Sequence, residues 1–141
     1  MAAGVPRTRM TASSPPILVA DRDDASRQRL VQFLRGGGFE PLPARTGEEA
    51  IEVVSRRVVA ITILDVVLPD LSGIETFRLI GRLRGGVQGI FLASDRSQNT
   101  LARLLEAGAY TVLHKPPRLE AVLEAVRGVA SRIDREEWFN S

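Results

Sequence analysis

Four residues that could do chemistry each stand directly after a short apolar run. Asp21 follows Ile17-Leu18-Val19-Ala20, and Asp65 follows Ala60-Ile61-Thr62-Ile63-Leu64. Ser94 follows Ile90-Phe91-Leu92-Ala93, and Lys115 follows Thr111-Val112-Leu113-His114. Two carboxylates, a hydroxyl and an ammonium suit a phosphoryl group. Carboxylates hold a hard, oxygen-seeking cation such as Mg²⁺. The hydroxyl and the ammonium bind the remaining phosphoryl oxygens. Phosphoryl transfer is mostly positioning and charge neutralisation, so this set is chemically sufficient. A central carboxylate can itself be the nucleophile and form an acyl phosphate. Of the 19 Lys and Arg residues only Lys115 is a lysine. A compact ammonium reaches one oxygen where Arg presents a fork, which favours a site that accepts only Lys, although chance could also place it there.

The elements that must position these residues are legible from the apolar pattern. The run 60–64 is apolar on both faces, as a buried parallel strand must be, and places Asp65 at its carboxyl end. Ligands gather outside the carboxyl ends of strands in open α/β sheets. Strands are predicted at 17–20, 39–44, 60–64, 90–93 and 111–114. Pro41 and Pro43 each remove a ladder donor, so the second strand belongs at an edge. Helices follow each strand. The first ends at Gly36-Gly37-Gly38, and the aspartates at 21, 23 and 24 are available to cap it. Thr46-x-x-Glu49 and Ser72-x-x-Glu75 fit capping boxes. The third helix is predicted to bury Ile74, Phe77, Ile80 and Leu83, with Arg78 and Arg82 outside. Leu101, Ala102, Leu104 and Leu105 mark the fourth. Leu119, Val122, Leu123, Val126, Val129 and Ile133 mark a long amphipathic last helix. Strict β-α alternation implies a parallel sheet with right-handed crossovers and helices on both faces.

The chain of 141 residues suits one domain at 17–133, with a flexible tail at 1–16 and a short tail at 134–141. With no cysteine, disulfides and thiolate metal sites are excluded, and a single histidine leaves little room for a His-based metal site or a His-centred triad. A net charge of +2 gives no reason to expect nucleic-acid binding. No apolar run approaches the roughly 20 residues that span a bilayer, and residues 1–16 lack a signal-peptide core, so a soluble cytoplasmic protein is expected.

Ile-Leu-Val-Ala-Asp (17–21), Leu-Asp-Val-Val-Leu-Pro-Asp-Leu-Ser-Gly (64–73), Ser94, Ala-Gly-Ala (107–109) and Lys115-Pro116 together resemble a response-regulator receiver domain of two-component signalling. The resemblance implies a flavodoxin-like (βα)5 fold with strand order 2-1-3-4-5. It implies that Asp65 accepts a phosphoryl group from a histidine kinase or phosphotransfer protein. Mg²⁺ would be held by Asp21, Asp65 and the backbone carbonyl of Val67. Ser94 and Lys115 would bind the phosphoryl group and switch the surface around the fourth and fifth helices. That surface would control a downstream protein or form a homodimer. Such a module is not an enzyme beyond weak autophosphorylation and autodephosphorylation, and it touches neither nucleic acid nor membrane.

Two positions depart from the family's pattern. Receivers carry two adjacent acids after the first strand, and here Arg22 fills the second place, ordinarily a direct metal ligand. Asp23 and Asp24 read as cap residues. Arg22 either points to solvent or pairs with Asp65 and stands where the cation would. The aromatic usually found three residues before the lysine is Val112, and Tyr110 falls in the preceding loop. Asp95, beside Ser94, reads as a cap for the next helix. His114 reads as a strand-end residue facing a helix. Trp138 and Phe139 either pack on the last helix or begin a linker. The alternative function is therefore a receiver-like interaction module that works without phosphorylation. A flavin binder lacks support, because no Gly-rich loop follows the first strand and few aromatics are available to sandwich a ring.

Overall fold

Strand and helix alternate throughout the computed structural model, which describes residues 15–133. The strands are β1 (Pro16–Ala20), β2 (Glu40–Ala44), β3 (Ile61–Asp65), β4 (Gln88–Ala93) and β5 (Ala109–His114). The helices are α1 (Asp24–Gly36), α2 (Gly47–Arg56), α3 (Gly73–Leu83), α4 (Gln98–Glu106) and α5 (Leu119–Ala130). All pairings are parallel, in the order β2-β1-β3-β4-β5. The fold class, the order and the edge position of the proline-bearing β2 agree with the sequence reading. Among the described residues no helix is long and apolar enough to cross a membrane.

Side chains alternate across the sheet with period two, so each strand feeds two cores. Leu18, Ala20, Leu64, Phe91 and Ala93 pack on one face beneath Ala50 and Val54 of α2, Ile80 of α3 and Leu104 of α4. Ile17, Val19, Ile61, Ile63, Ile90 and Leu92 pack on the other against Leu30 and Leu34 of α1 and Val122, Val126 and Val129 of α5. Full burial of each such side chain stabilises the fold by roughly 1.5–3 kcal/mol. These two layers hold the carboxyl ends of β1, β3, β4 and β5 in fixed register.

Several details differ from the expected ones. Leu83 is 54% exposed, as are Leu101 and Leu105 to 42% and 52%, because the buried stripes of α3 and α4 are narrower than their apolar patterns. The last helix closes at Ala130, and Ile133 reaches the core from a turn beyond it. Tyr110 lies in β5, not in a loop. The β4–β5 register shifts between Gly89 and Ile90, which pair with Ala109 and Thr111, so Tyr110 is an extra residue. Such a bulge turns a side chain to the other face. Tyr110 thus packs with the α5 core, under the Arg132 guanidinium and against Gly128, whereas Val112 packs with the opposite core. His114 is the last residue of β5, as expected, and is exposed. The expected tails fall largely outside the described residues, Trp138 and Phe139 wholly so.

Capping is mostly as read. Asp23 caps α1, accepting from Ser26 N at 3.0 Å, and Ser72 and Glu75 form a reciprocal box on α3. Thr46 accepts from Glu49 N, but Glu49 reaches back to Arg45 N instead of the cap residue. The remaining α2 donors are met from a distance. Gly47 N and Glu48 N donate to Asp70 Oδ1 and Oδ2 at 2.8 and 2.9 Å. Partial dehydration pushes this carboxyl up, but backbone N–H groups, those of Gly47 and Glu48 foremost, together outweigh it and hold Asp70 below the ordinary carboxylate value. Asp70 therefore latches the loop after Asp65 onto the positive end of α2. Asp70→Ala is expected to lower the thermal midpoint by a few degrees at pH 7. A carboxyl with a lowered native pKa stabilises fully above its unfolded value, about 4, and loses that contribution as pH falls through its native one. Calorimetry at pH 7 and at pH 3 should therefore show the gap between the two proteins close on acidification.

Candidate functional site

Each predicted site residue sits where a strand runs out at the same sheet edge. Asp21 N still donates to Ala44 O, Val66 N to Leu92 O, and Lys115 N to Ala93 O, so the ladders hold the backbone up to and past the functional side chains. Beyond Asp65 the chain folds back sharply: Val67 N donates to Asp65 Oδ1 at 3.1 Å, and Gly73 N to Val66 O at 2.8 Å. Gly73 is required here, because a Cβ would strike the carbonyl oxygen of Asp65. The α3 N-terminus thereby closes directly onto the Asp65 loop.

Asp21 and Asp65 are buried, at 0% and 4% exposure, and Lys115 bridges them. Its Nζ lies 2.9 Å from Asp65 Oδ2 and 3.3 Å from Asp21 Oδ1. Asp21 also accepts from Asp23 N at 2.9 Å and from Ser26 Oγ at 2.6 Å. Arg27 Nη1 donates to the Asp21 carbonyl at 2.7 Å. Burial pushes the Asp65 carboxyl above its ordinary value and Asp21 adds to this, while Lys115 and Val67 N–H pull against it. Burial works against the Lys115 charge, but Asp65 and then Asp21 outweigh it and raise the ammonium. Two acids thus share one cation, and the charge left over is negative.

A cleft of about 440 Å³ opens over this group, lined in part by Asp65, Val67, Ser94, Arg22, Arg103 and Lys115. Ser94 is exposed at its wall. Asp95 does not stand free beside the cleft. Its oxygens accept from Thr100 Oγ1 at 2.6 Å and Ser97 N at 2.8 Å, and these bonds hold the carboxyl below its ordinary value. Ser97 is the N-cap of α4, so Asp95 supports the cap and does not itself provide it. Arg22 takes neither expected position fully: it is exposed, lines the cleft, and forms no ion pair with Asp65 among the described residues.

Ser26, Arg27 and Arg103 were not singled out by sequence reasoning. Ser26 and Arg27 lie in the first turn of α1 and turn back onto Asp21, which spacing alone does not reveal. Arg103 looks like any polar residue on the outer face of α4.

For a divalent cation the donors at hand are Asp65, the Val67 carbonyl and Asp21. All four carboxylate oxygens already accept hydrogen bonds. Asp23 and Asp24 are engaged as the α1 cap and with Arg27. Among the described residues no three His, Cys, Asp or Glu side chains cluster closely enough to hold a metal ion. The donor set fits such a cation poorly.

The family model described as response regulator receiver domain matches residues 17–127. The chain is 33% identical over 131 residues to the transcriptional regulatory protein ZraR of Escherichia coli O157:H7, covering 90% of this chain and 30% of that protein. It is 34% identical over 116 residues to the transcriptional activator protein ExaE of Pseudomonas putida, covering 80% of this chain and 54% of that one. The chain thus spans between about a third and about half the length of these relatives. Among solved structures, a CheY-like response regulator receiver domain protein from Methanospirillum hungatei JF-1 superposes with a TM-score of 0.80 at 26% identity, covering 89% of this chain and 98% of the other.

Removing Lys115 would leave two buried carboxylates facing each other. Lys115→Met is expected to cost about 3 kcal/mol, at the low end for a broken buried pair because the ammonium keeps some contact with water. Adding Asp65→Asn should recover most of that loss, since one buried charge goes with it. The loss should also shrink on acidification, because unpaired buried carboxyls take up protons more readily. Urea denaturation of both variants at two pH values checks all three outcomes.

Proposed function

The chain belongs to the response regulator receiver domain family, and on that premise we propose that it is a signalling module that accepts a phosphoryl group on Asp65. Receiver domains are signalling modules of two-component systems, and they generally bind Mg²⁺ at their acidic pocket. In this chain we assign the acceptor role to Asp65, and phosphoryl binding to Lys115 and Ser94. Asp21 orients Lys115. The receiver module is residues 17–133. The donor is a histidine kinase or a phosphotransfer protein.

The observation that carries this reading is the Lys115 bridge. One ammonium ties Asp65 to Asp21 inside a cleft that Ser94 also lines. Transfer would form a bond between an Asp65 carboxylate oxygen and phosphorus while the donor's bond to phosphorus breaks. Lys115, held to Asp65 Oδ2 beforehand, is in reach of the new phosphoryl oxygens. The output surface is α4 with β5 and α5, for a downstream protein or a second copy of the chain. Leu101 and Leu105 stand exposed along α4, and β5 is an outer strand of the sheet.

A second reading, an interaction module that works without phosphate, draws on the switch position. Val112 replaces the aromatic of the family pattern, and the nearby ring of Tyr110 faces the other core. Intact-mass spectrometry after incubation with acetyl phosphate separates the readings. A gain of one phosphoryl group in the wild type, absent from Asp65→Asn, is the expected result. No gain from acetyl phosphate or from any histidine kinase would favour the phosphate-independent module.

A further inference from the structure

We propose that Arg22, supported by Arg103, takes over the charge-neutralising task of a divalent cation, so that the phosphoryl group on Asp65 is held by guanidinium and ammonium groups and its transfer does not require Mg²⁺. This inference rests on Asp65 being the acceptor.

Three observations carry it. First, Arg22 follows the buried Asp21 directly and lines the same cleft as Asp65, Ser94 and Lys115, with Arg103 entering from α4. Second, neither arginine has an acidic partner among the described residues. The adjacent acids are occupied, Asp23 as a helix cap, Asp24 with Arg27, and Asp95 with Ser97 and Thr100. The two guanidinium groups are therefore available to an anion. Third, the acid set that would hold a metal is depleted, as the donor inventory shows.

Without a divalent cation, the charges balance only if the arginines take part. Before transfer, two carboxylates face Lys115. After it, Asp21 and an acyl phosphate of about −2 face Lys115, leaving a net of about −2. Arg22 and Arg103 bring two positive charges to the cleft. A guanidinium also offers paired donors that match two phosphoryl oxygens, a geometry an ammonium lacks. Such charges stabilise the transferring group where its negative charge develops. In the step itself, an Asp65 oxygen forms a bond to the phosphorus of acetyl phosphate. The bond from that phosphorus to the acetyl oxygen breaks, and acetate leaves as the anion with no proton transferred.

The test measures the rate of phosphorylation by acetyl phosphate, by intact mass, with Mg²⁺ and with EDTA, for the wild type, Arg22→Ala and Arg22→Asp. Arg22 is exposed, so both variants should fold, and circular dichroism checks this. The wild type is expected to react at similar rates in both conditions. Arg22→Ala should lose about tenfold or more in EDTA. Arg22→Asp should react only with Mg²⁺. A wild type that slows tenfold or more in EDTA would overturn the inference, as would an Arg22→Ala variant that matches the wild type there. A wild type inert in both conditions beside an Arg22→Asp variant that reacts with Mg²⁺ would also overturn it, while leaving Asp65 as a competent acceptor. If all three proteins are inert to acetyl phosphate and to histidine kinases alike, the acceptor reading fails and this inference fails with it.

Discussion

The structure depends on one shared cation. Asp21 and Asp65 are almost wholly removed from water, and an isolated buried carboxylate is costly enough that it ordinarily protonates instead. Lys115 offsets part of that cost by touching both. It can do so only because the three residues sit at the ends of β1, β3 and β5, with β4 between the last two. Ala20 pairs with Leu64, Asp65 with Leu92, and Ala93 with His114. A slip of one residue in any of these ladders would turn a site side chain into a helix-covered face. The hydrophobic layers are thus what make a two-acid, one-base cluster tolerable.

What the sequence revealed follows from the same physics. Apolar runs ending at polar residues are an unmistakable pattern for parallel strands, so the sheet, its edges and four of the converging side chains were legible. Information carried by side chains reaching across the fold was not. Asp70 reads as an ordinary turn residue until the loop is seen to pass the α2 N-terminus. Ser26 reads as a helix residue until it is seen to donate to Asp21. The exposure of Leu83, Leu101 and Leu105 was missed because periodicity reveals which way a helix faces but not how wide its covered stripe is. The displaced Tyr110 was missed because a bulge inserts one residue without a compositional mark.

That bulge bears on how a signal could leave the site. With the Tyr110 ring packed beside Gly128 and under Arg132, it is on the α5 side of the sheet, away from the core shared by Val112. A change at Asp65 cannot be relayed by rotating this ring toward Ser94, since the sheet stands between. The remaining path runs through the β4–α4 loop. Ser94 lines the cleft, and Asp95, Ser97 and Thr100 form a hydrogen-bonded unit at the start of α4. Within α4 only Leu104 is buried, so few apolar contacts hold this helix to the sheet. Local stability follows such contacts, and elements that shift between arrangements come from the weakly held end of the range. Arg103 places a charge of that same helix on the cleft wall. An anion arriving at Asp65 would pull through Arg103 on α4, a helix with one buried side chain.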